Sequence, residues 1–381
     1  MTEPSLALAY STNVHPARGT AALVGEVVPA AGRVRALAGE AAMALDLHLD
    51  ARTAHAFDEE DGQLDALAEA LAAEGLHVAS VNAFPLGEFH APRVKDAVYR
   101  PDWSEPERLE ATLAAARVLA RLLAPGGMGY VSTLTGTYAL WPDAAEREAA
   151  CAGGLAACAR ALAELGDRTD RRVALALEPE PFTTAERTGE AVRHIDRVRD
   201  AAGEAGATLL GLNLDLCHLA VGFEGPKAAL DAAGAAGVPI LGLHASAAPV
   251  VPRPGENKPA IAALGRFDEP RWLHPVYGCD ASGRVVLREP DLGLFLDRSP
   301  RLMKEIAEAR CHFHVPLAWP GDALLGTTRD LTAEALRLAL AADEPPRVVA
   351  ETYTWNALPG AGDLAEGLAA EIRWIRAVLA G

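Results

Sequence analysis

The chain has 381 residues, half of them hydrophobic and only 5% aromatic, so a large core must be built mainly from Ala, Leu and Val. Its formal charge is −17, from 35 basic and 52 acidic residues, a field that repels polyphosphate backbones and argues against nucleic-acid partners. Five cysteines, Cys151, Cys158, Cys217, Cys279 and Cys311, form no C-x-x-C pair, which excludes a disulfide framework and points to a reducing, cytoplasmic setting.

The N-terminal MTEPSLALAYSTNVHP has no basic leader and no long apolar run. No stretch of about 18 apolar residues marks a membrane span. Short apolar runs follow in order: Leu6–Tyr10, Met43–Leu49, Val78–Phe84, Met128–Thr133, Val173–Leu177, Leu209–Leu214, Pro239–Leu243 and Val348–Ala350. Between them lie stretches of helical spacing, including Gly62–Glu74, Glu105–Leu123, Ala144–Leu165 and Thr184–Ala205. Runs apolar on both faces, alternating with helices, predict buried parallel strands. Eight of them predict a single-domain (β/α)8 TIM barrel over residues 1–381, whose working groups sit at the C-terminal strand ends.

Two segments break the rhythm. Asn82–Trp103 reads as a loop after the third strand. Residues 249–310 read as a lid-like insertion after the seventh strand, with Asp280–Gly283 as a hairpin turn. The insertion's alternative role is a stabilising flap or the contact of a homodimer.

The chemistry gathers at four consecutive strand ends. ALALEPEP places Glu178 after the fifth strand; LNLDLCH places Asp215 and His218 after the sixth. LGLHAS places His244 after the seventh, and VVAETYTW places Glu351 after the eighth. Carboxylates and imidazoles without thiolate suit a divalent ion, Mn, Zn, Co, Fe or Mg, one or two of them. Any one of these residues alone reads more readily as a helix cap or a core histidine. Cys217, between Asp215 and His218, reads as packing turned away from the mouth, while His55, His77 and His194 read as surface residues.

The series Glu178, Asp215-x-x-His218, His244, Glu351 resembles the xylose isomerase-like barrels, which include sugar isomerases, epimerases and AP endonuclease family 2. CHFHVPLAWPGDALLGTT resembles that family's H-x-H-x-G-x-G segment without its second glycine, and so adds His312 or His314 as a ligand. A closer resemblance spans nearly the whole chain. YSTNVHP, NAFPLGEFH, VKDAVYRPDW, CHFHVPLAW and ETYTWNALP are similar to the EboE family of metabolite-traffic proteins.

These resemblances imply a metal-dependent protein acting on a small polyhydroxylated or phosphorylated metabolite. The activity is of the isomerase or epimerase type or a metal-hydroxide hydrolysis, with Glu178 and Glu351 transferring the proton. The alternative is a non-catalytic carrier of metal or metabolite. Asn13, Asn82 and Trp355 are expected to touch substrate, and His15 and His90 to serve as substrate contacts or extra ligands. Arg253, Lys258 and His274 either bind an anionic substrate or are solvated loop residues.

Overall fold

A computed structural model describes residues 8–381. Eight parallel strands close into a barrel: β1 (Leu8–Ser11), β2 (Met43–His48), β3 (Leu76–Asn82), β4 (Met128–Leu134), β5 (Arg172–Glu178), β6 (Leu210–Asp215), β7 (Ile240–Ala245) and the closing strand β13 (Arg347–Ala350). Their order is β1-β13-β7-β6-β5-β4-β3-β2, each paired in parallel with its neighbours. All eight expected strands are present; Leu6 and Ala7 of the first lie outside the described residues.

The apolar runs fold this way because both strand faces are covered, one by the barrel interior and one by the helix ring. The helix Ala144–Thr169 shows the second contact. By length and composition it could cross a membrane, contrary to the reading that no segment could. Here Cys151, Leu155, Cys158 and Leu162 are buried in the main core. Inside the barrel, Gly242 on β7 is required: a Cβ there would collide with the Tyr130 hydroxyl and the Asn213 amide, two polar groups that fill the barrel's centre.

The insertion is a sheet rather than an open loop. Strands β8 (Pro249–Pro252), β9 (Val276–Cys279), β10 (Val285–Glu289), β11 (Glu308–Cys311) and β12 (Gly326–Thr327) pair in the order β10-β9-β11-β8-β12, every pair antiparallel. Its hairpin turns at Asp280–Gly283, where Gly283 takes the left-handed conformation at φ +83°. The sheet extends past residue 310 to Thr327, beyond the expected boundary, because β12 adds to its edge. The Asn82–Trp103 loop is pinned from below by Arg108. This buried guanidinium donates to the carbonyls of Ala83 and Phe84, both at 2.9 Å, and of Pro101 at 2.7 Å.

Candidate metal centre

Strand alternation turns the last residues of β5 and β6, the next-to-last of β7 and the residue after β13 into the mouth. Ligand atoms of Glu178, Asp215, His244 and Glu351 all lie within 4.8 Å of one another, and all four side chains are buried. His244 Nδ1 is 2.8 Å from Glu351 Oε2, 3.4 Å from Glu178 Oε1 and 3.7 Å from Asp215 Oδ2.

Each carboxylate has a neutral donor behind it. Ser132 Oγ and Asn213 Nδ2 donate to Glu178 at 2.8 and 3.0 Å. Ser246 Oγ and the His218 backbone N–H donate to Asp215, both at 2.9 Å. Asn13 Nδ2 donates to Glu351 at 2.6 Å. Neutral donors fix the orientation of a carboxylate without cancelling the charge it offers a cation.

A second group adjoins the first. His218 Nε2 lies 3.0 Å from Glu180 Oε2 and 3.1 Å from His312 Nε2. His314 Nε2 lies 3.8 Å from Asp215 Oδ1. The outward nitrogens are anchored on backbone: His218 Nδ1 to Pro179 O at 2.8 Å, His314 Nδ1 to Glu351 O at 3.0 Å. A Nδ1–H held on a carbonyl leaves Nε2 with its lone pair turned inward, the tautomer a metal ligand needs. His314 Nε2 and His312 Nδ1 are buried with no hydrogen-bond partner. Buried orphan nitrogens beside converging carboxylates fit a divalent ion.

The charges are strongly coupled. Burial opposes charge on Asp215, but the imidazoles of His218, His314 and His244 outweigh it and hold this carboxyl well below the usual range. Burial likewise opposes charge on Glu178, and His244 and His218 again keep its carboxyl low. On Glu351 burial wins over His244 and His314, and the carboxyl is raised. Burial, with His218 and His314 nearby, holds His312 well below its ordinary value, so it stands as neutral imidazole.

The cavity above these groups measures about 540 Å3 with its open mouth included. Asn13, Asn82, Glu178, His218, His312, His314 and Glu351 line it. Others from the sequence reading stand back from it. His15 is buried against the Tyr10 hydroxyl at 3.2 Å, and His90 is bound to the Asn13 carbonyl at 2.6 Å; burial lowers both imidazoles to about 4. His274 is buried behind the ligand segment, bonded to His312 O and Glu269 Oε1, both at 2.9 Å. Arg253 and Lys258 are exposed at the insertion's outer edge. Trp355 packs over Gly367 and lines a separate groove with Trp319, because the chain turns into a short 3-10 helix after Glu351. Tyr353 lines the mouth instead.

Three details correct the sequence reading. His194 is buried, not on the surface, and bonds Glu148 at 2.9 Å. Cys217 packs in a buried cluster and burial pushes its thiol up, but its sulfur is within 4.8 Å of His312 and His314 nitrogens rather than turned away from the mouth. Glu180 was missed, although LEPEP places it in phase with Glu178, two residues on.

The barrel shape recurs in solved structures. A candidate xylose isomerase from Rhodospirillum rubrum is 14% identical, with 99% of each chain covered and a TM-score of 0.54. An L-ribulose 3-epimerase is 15% identical, covering 98% of this chain and 94% of its own, with a TM-score of 0.50. A xylose isomerase-like barrel from Mycobacterium smegmatis, solved with magnesium, is 16% identical over 99% and 97% of the two chains, with a TM-score of 0.46. These likenesses are of fold. No curated protein matches the chain in sequence. The family model described as "Xylose isomerase-like TIM barrel", of AP endonuclease family 2, matches residues 34–281, from before β2 to the insertion's first hairpin. With most of the barrel inside that match, the chain belongs to the xylose isomerase-like TIM barrel family.

Proposed function

We propose that this protein is a metal-dependent isomerase or epimerase of a small polyhydroxylated molecule. The observation that carries this reading is the buried convergence of Glu178, Asp215, His244 and Glu351 on one point. A divalent ion held there would bind two adjacent substrate oxygens and stabilise the negative charge that develops on them.

The chain's own groups supply the rest. β5 and β13 stand on either side of β6 and β7, so Glu178 and Glu351 approach the site from opposite flanks. One takes the proton from the carbon beside the carbonyl and the other returns it. Their carboxyls are pushed in opposite directions, which suits a base paired with an acid. Asn13, bonded to Glu351, keeps that carboxylate aimed as it gains or loses a proton. The five segments that resemble the EboE family contribute Asn13, Asn82, Phe89, Tyr99, His312 and Tyr353 to this one cavity, which supports a role on a secondary metabolite.

The second donor group favours another reading. An ion held by Glu180, His218 and His312 beside the first would make a two-ion site, suited to hydrolysis by an activated water.

Metal stoichiometry and proton exchange separate the two. The protein is loaded with Mn2+, its metal content measured, and a panel of ketoses incubated with it in D2O and followed by NMR. One ion per chain with loss of a C–H signal beside the carbonyl is the expected result. Two ions per chain and no exchange support hydrolysis. Absence of tight metal binding overturns both.

A further inference from the structure

The cavity has two unlike faces. One is the carboxylates and imidazoles just described. The other is an aromatic wall: Phe89, Trp272 and Tyr353 pack with ring centroids 5.1 to 5.3 Å apart, and Tyr353 adjoins His314 at 4.7 Å. Phe84 and Tyr99 add a second pair of rings, 6.3 Å between centroids. These rings come from the loop after β3, the insertion and the chain after β13, so three separate segments supply one apolar surface.

Two polar tips of this wall are engaged within the protein: Trp272 Nε1 donates to Phe89 O at 2.9 Å, and the Tyr99 hydroxyl donates to Glu180 at 3.3 Å. The wall therefore offers a ligand mainly ring carbon, with the Tyr353 hydroxyl beside it. Lys95 is the single Lys or Arg among the cavity's described lining residues. Its Nζ sits 2.6 Å from Asp291 Oδ2 and donates to Trp272 O at 2.8 Å, so its charge is paired and two of its three donors are committed. Arg253 and Lys258, read in the sequence as either anion-binding or solvated loop residues, do not line the cavity. Beside the imidazoles of His218, His312 and His314, a phosphate entering here would lose its water and meet aromatic carbon, a paired lysine and three carboxylates, Glu178, Glu180 and Glu351.

We propose that the substrate is an uncharged molecule with adjacent hydroxyl and carbonyl oxygens at one end and an aromatic or other planar apolar group at the other. This rests on the metal reading above, which supplies the oxygen-binding end. The aromatic wall adds the other end and excludes sugar phosphates.

Three neutral or charged hydroxyketones test it on Mn2+-loaded protein by titration calorimetry: 2-hydroxyacetophenone, dihydroxyacetone and dihydroxyacetone phosphate. The aryl compound is expected to bind at least about tenfold more tightly than dihydroxyacetone, from ring burial and stacking. The phosphate is expected to bind no more tightly than dihydroxyacetone. Phe89→Leu and Trp272→Leu, which keep apolar bulk, should retain Mn2+ affinity and lose most of the aryl preference. Tightest binding of the phosphate, equal binding of the aryl and unsubstituted compounds, or binding of none overturns the inference. Mn2+ uptake is read by electron paramagnetic resonance on the same samples. If no Mn2+ binds, the metal reading falls, and the aryl preference is then scored on the metal-free protein.

Discussion

The two halves of the barrel mouth carry opposite kinds of polar group. On β5, β6, β7 and just beyond β13 the strand ends are ionisable: Glu178, Asp215, His244 and Glu351. On β1 to β4 they are mainly neutral: Ser11, Asn13, Ser80, Asn82, Ser132 and Thr133. Asp46 and His48 on β2 are the exceptions, and hydroxyls of Ser11 and Ser80 donate to Asp46 at 2.9 and 2.7 Å. One half therefore offers charge to a cation, while Asn13 and Ser132 of the other help to orient that charge. The aromatic wall draws on both halves, with Phe89 from the loop after β3, Trp272 from the insertion and Tyr353 from beyond β13. The division shows how a closed barrel of equivalent strands acquires a direction: oxygens held on an ion would turn toward the ionisable strand ends.

The comparison breaks most sharply at Asp215. Asp215→Ala should abolish tight metal binding, a loss greater than the roughly 10- to 100-fold typical of an outer partner, as measured by mass spectrometry after mild chelation. Retention of wild-type stoichiometry would place the metal elsewhere. Ser132→Ala is the matching change on the neutral half, removing the hydroxyl that orients Glu178. It should keep full metal stoichiometry with affinity lowered by about tenfold. Equal losses in the two variants would erase the distinction between the halves.

Glu371 tests the support beneath the charged half. It is buried on the helix Leu364–Leu379, where Leu317 N–H and Thr352 Oγ donate to it at 3.0 and 2.6 Å. It thereby ties the segment after His314 to the segment after Glu351. Burial pushes its carboxyl up to about 7. The folded chain keeps a proton that the unfolded chain releases near 4.5. Stability present below that pH is therefore lost as pH rises toward 7, and the loss is complete above it. Relative to Glu371→Gln, wild type should lose about 2–3 kcal/mol of unfolding free energy between pH 5 and pH 8. Urea melts at the two pH values measure this, and a constant difference between the proteins excludes a buried titrating carboxyl.

The smallest effect is expected at the rim. Replacing both Arg253 and Lys258 by Ala should leave metal content and hydroxyketone affinity within about twofold of wild type, since exposed changes away from a site alter little. A larger loss of ligand affinity in the same calorimetry would return these cations to the substrate and contradict the neutral-ligand inference.

The sequence makes one half of the mouth far more legible than the other. Glu178, Asp215 and His244 each close an apolar run and Glu351 follows one, so strand parity alone aims them at the axis. Glu180 obeys the same parity but lies one step past the strand, where a turn was the simpler expectation. The aromatic wall has no periodic signature: Phe89 and Trp272 are separated by most of the barrel and meet only because Arg108 pins one loop and the insertion's sheet carries the other. Trp355 illustrates the limit of alternation, since the chain leaves extended geometry after Glu351 and Tyr353 takes the place at the mouth. Arg253 and Lys258 read equally as an anion site or as solvated loop charges, and both are exposed outside the cavity lining. The insertion's apolar residues divide: Val276, Tyr277, Val285 and Val286 are strand residues, while Trp272 and Leu273 line the mouth.

That sheet bears on how such a protein can change over evolutionary time. β11 is hydrogen-bonded between β8 and β9, and the chain runs from it directly into His312 and His314, with His312 N–H donating to Pro275 O at 2.7 Å. Trp272 lies in the segment that leads into β9, three residues before Pro275. A deletion or insertion in this region would shift strand register and displace two imidazoles together with the wall. New ligand preferences are therefore reached more readily by exchanging side chains on a fixed frame than by altering loop length. Related chains with different appetites should keep the spacing from β9 to His314 while varying the residues at 89, 272 and 353.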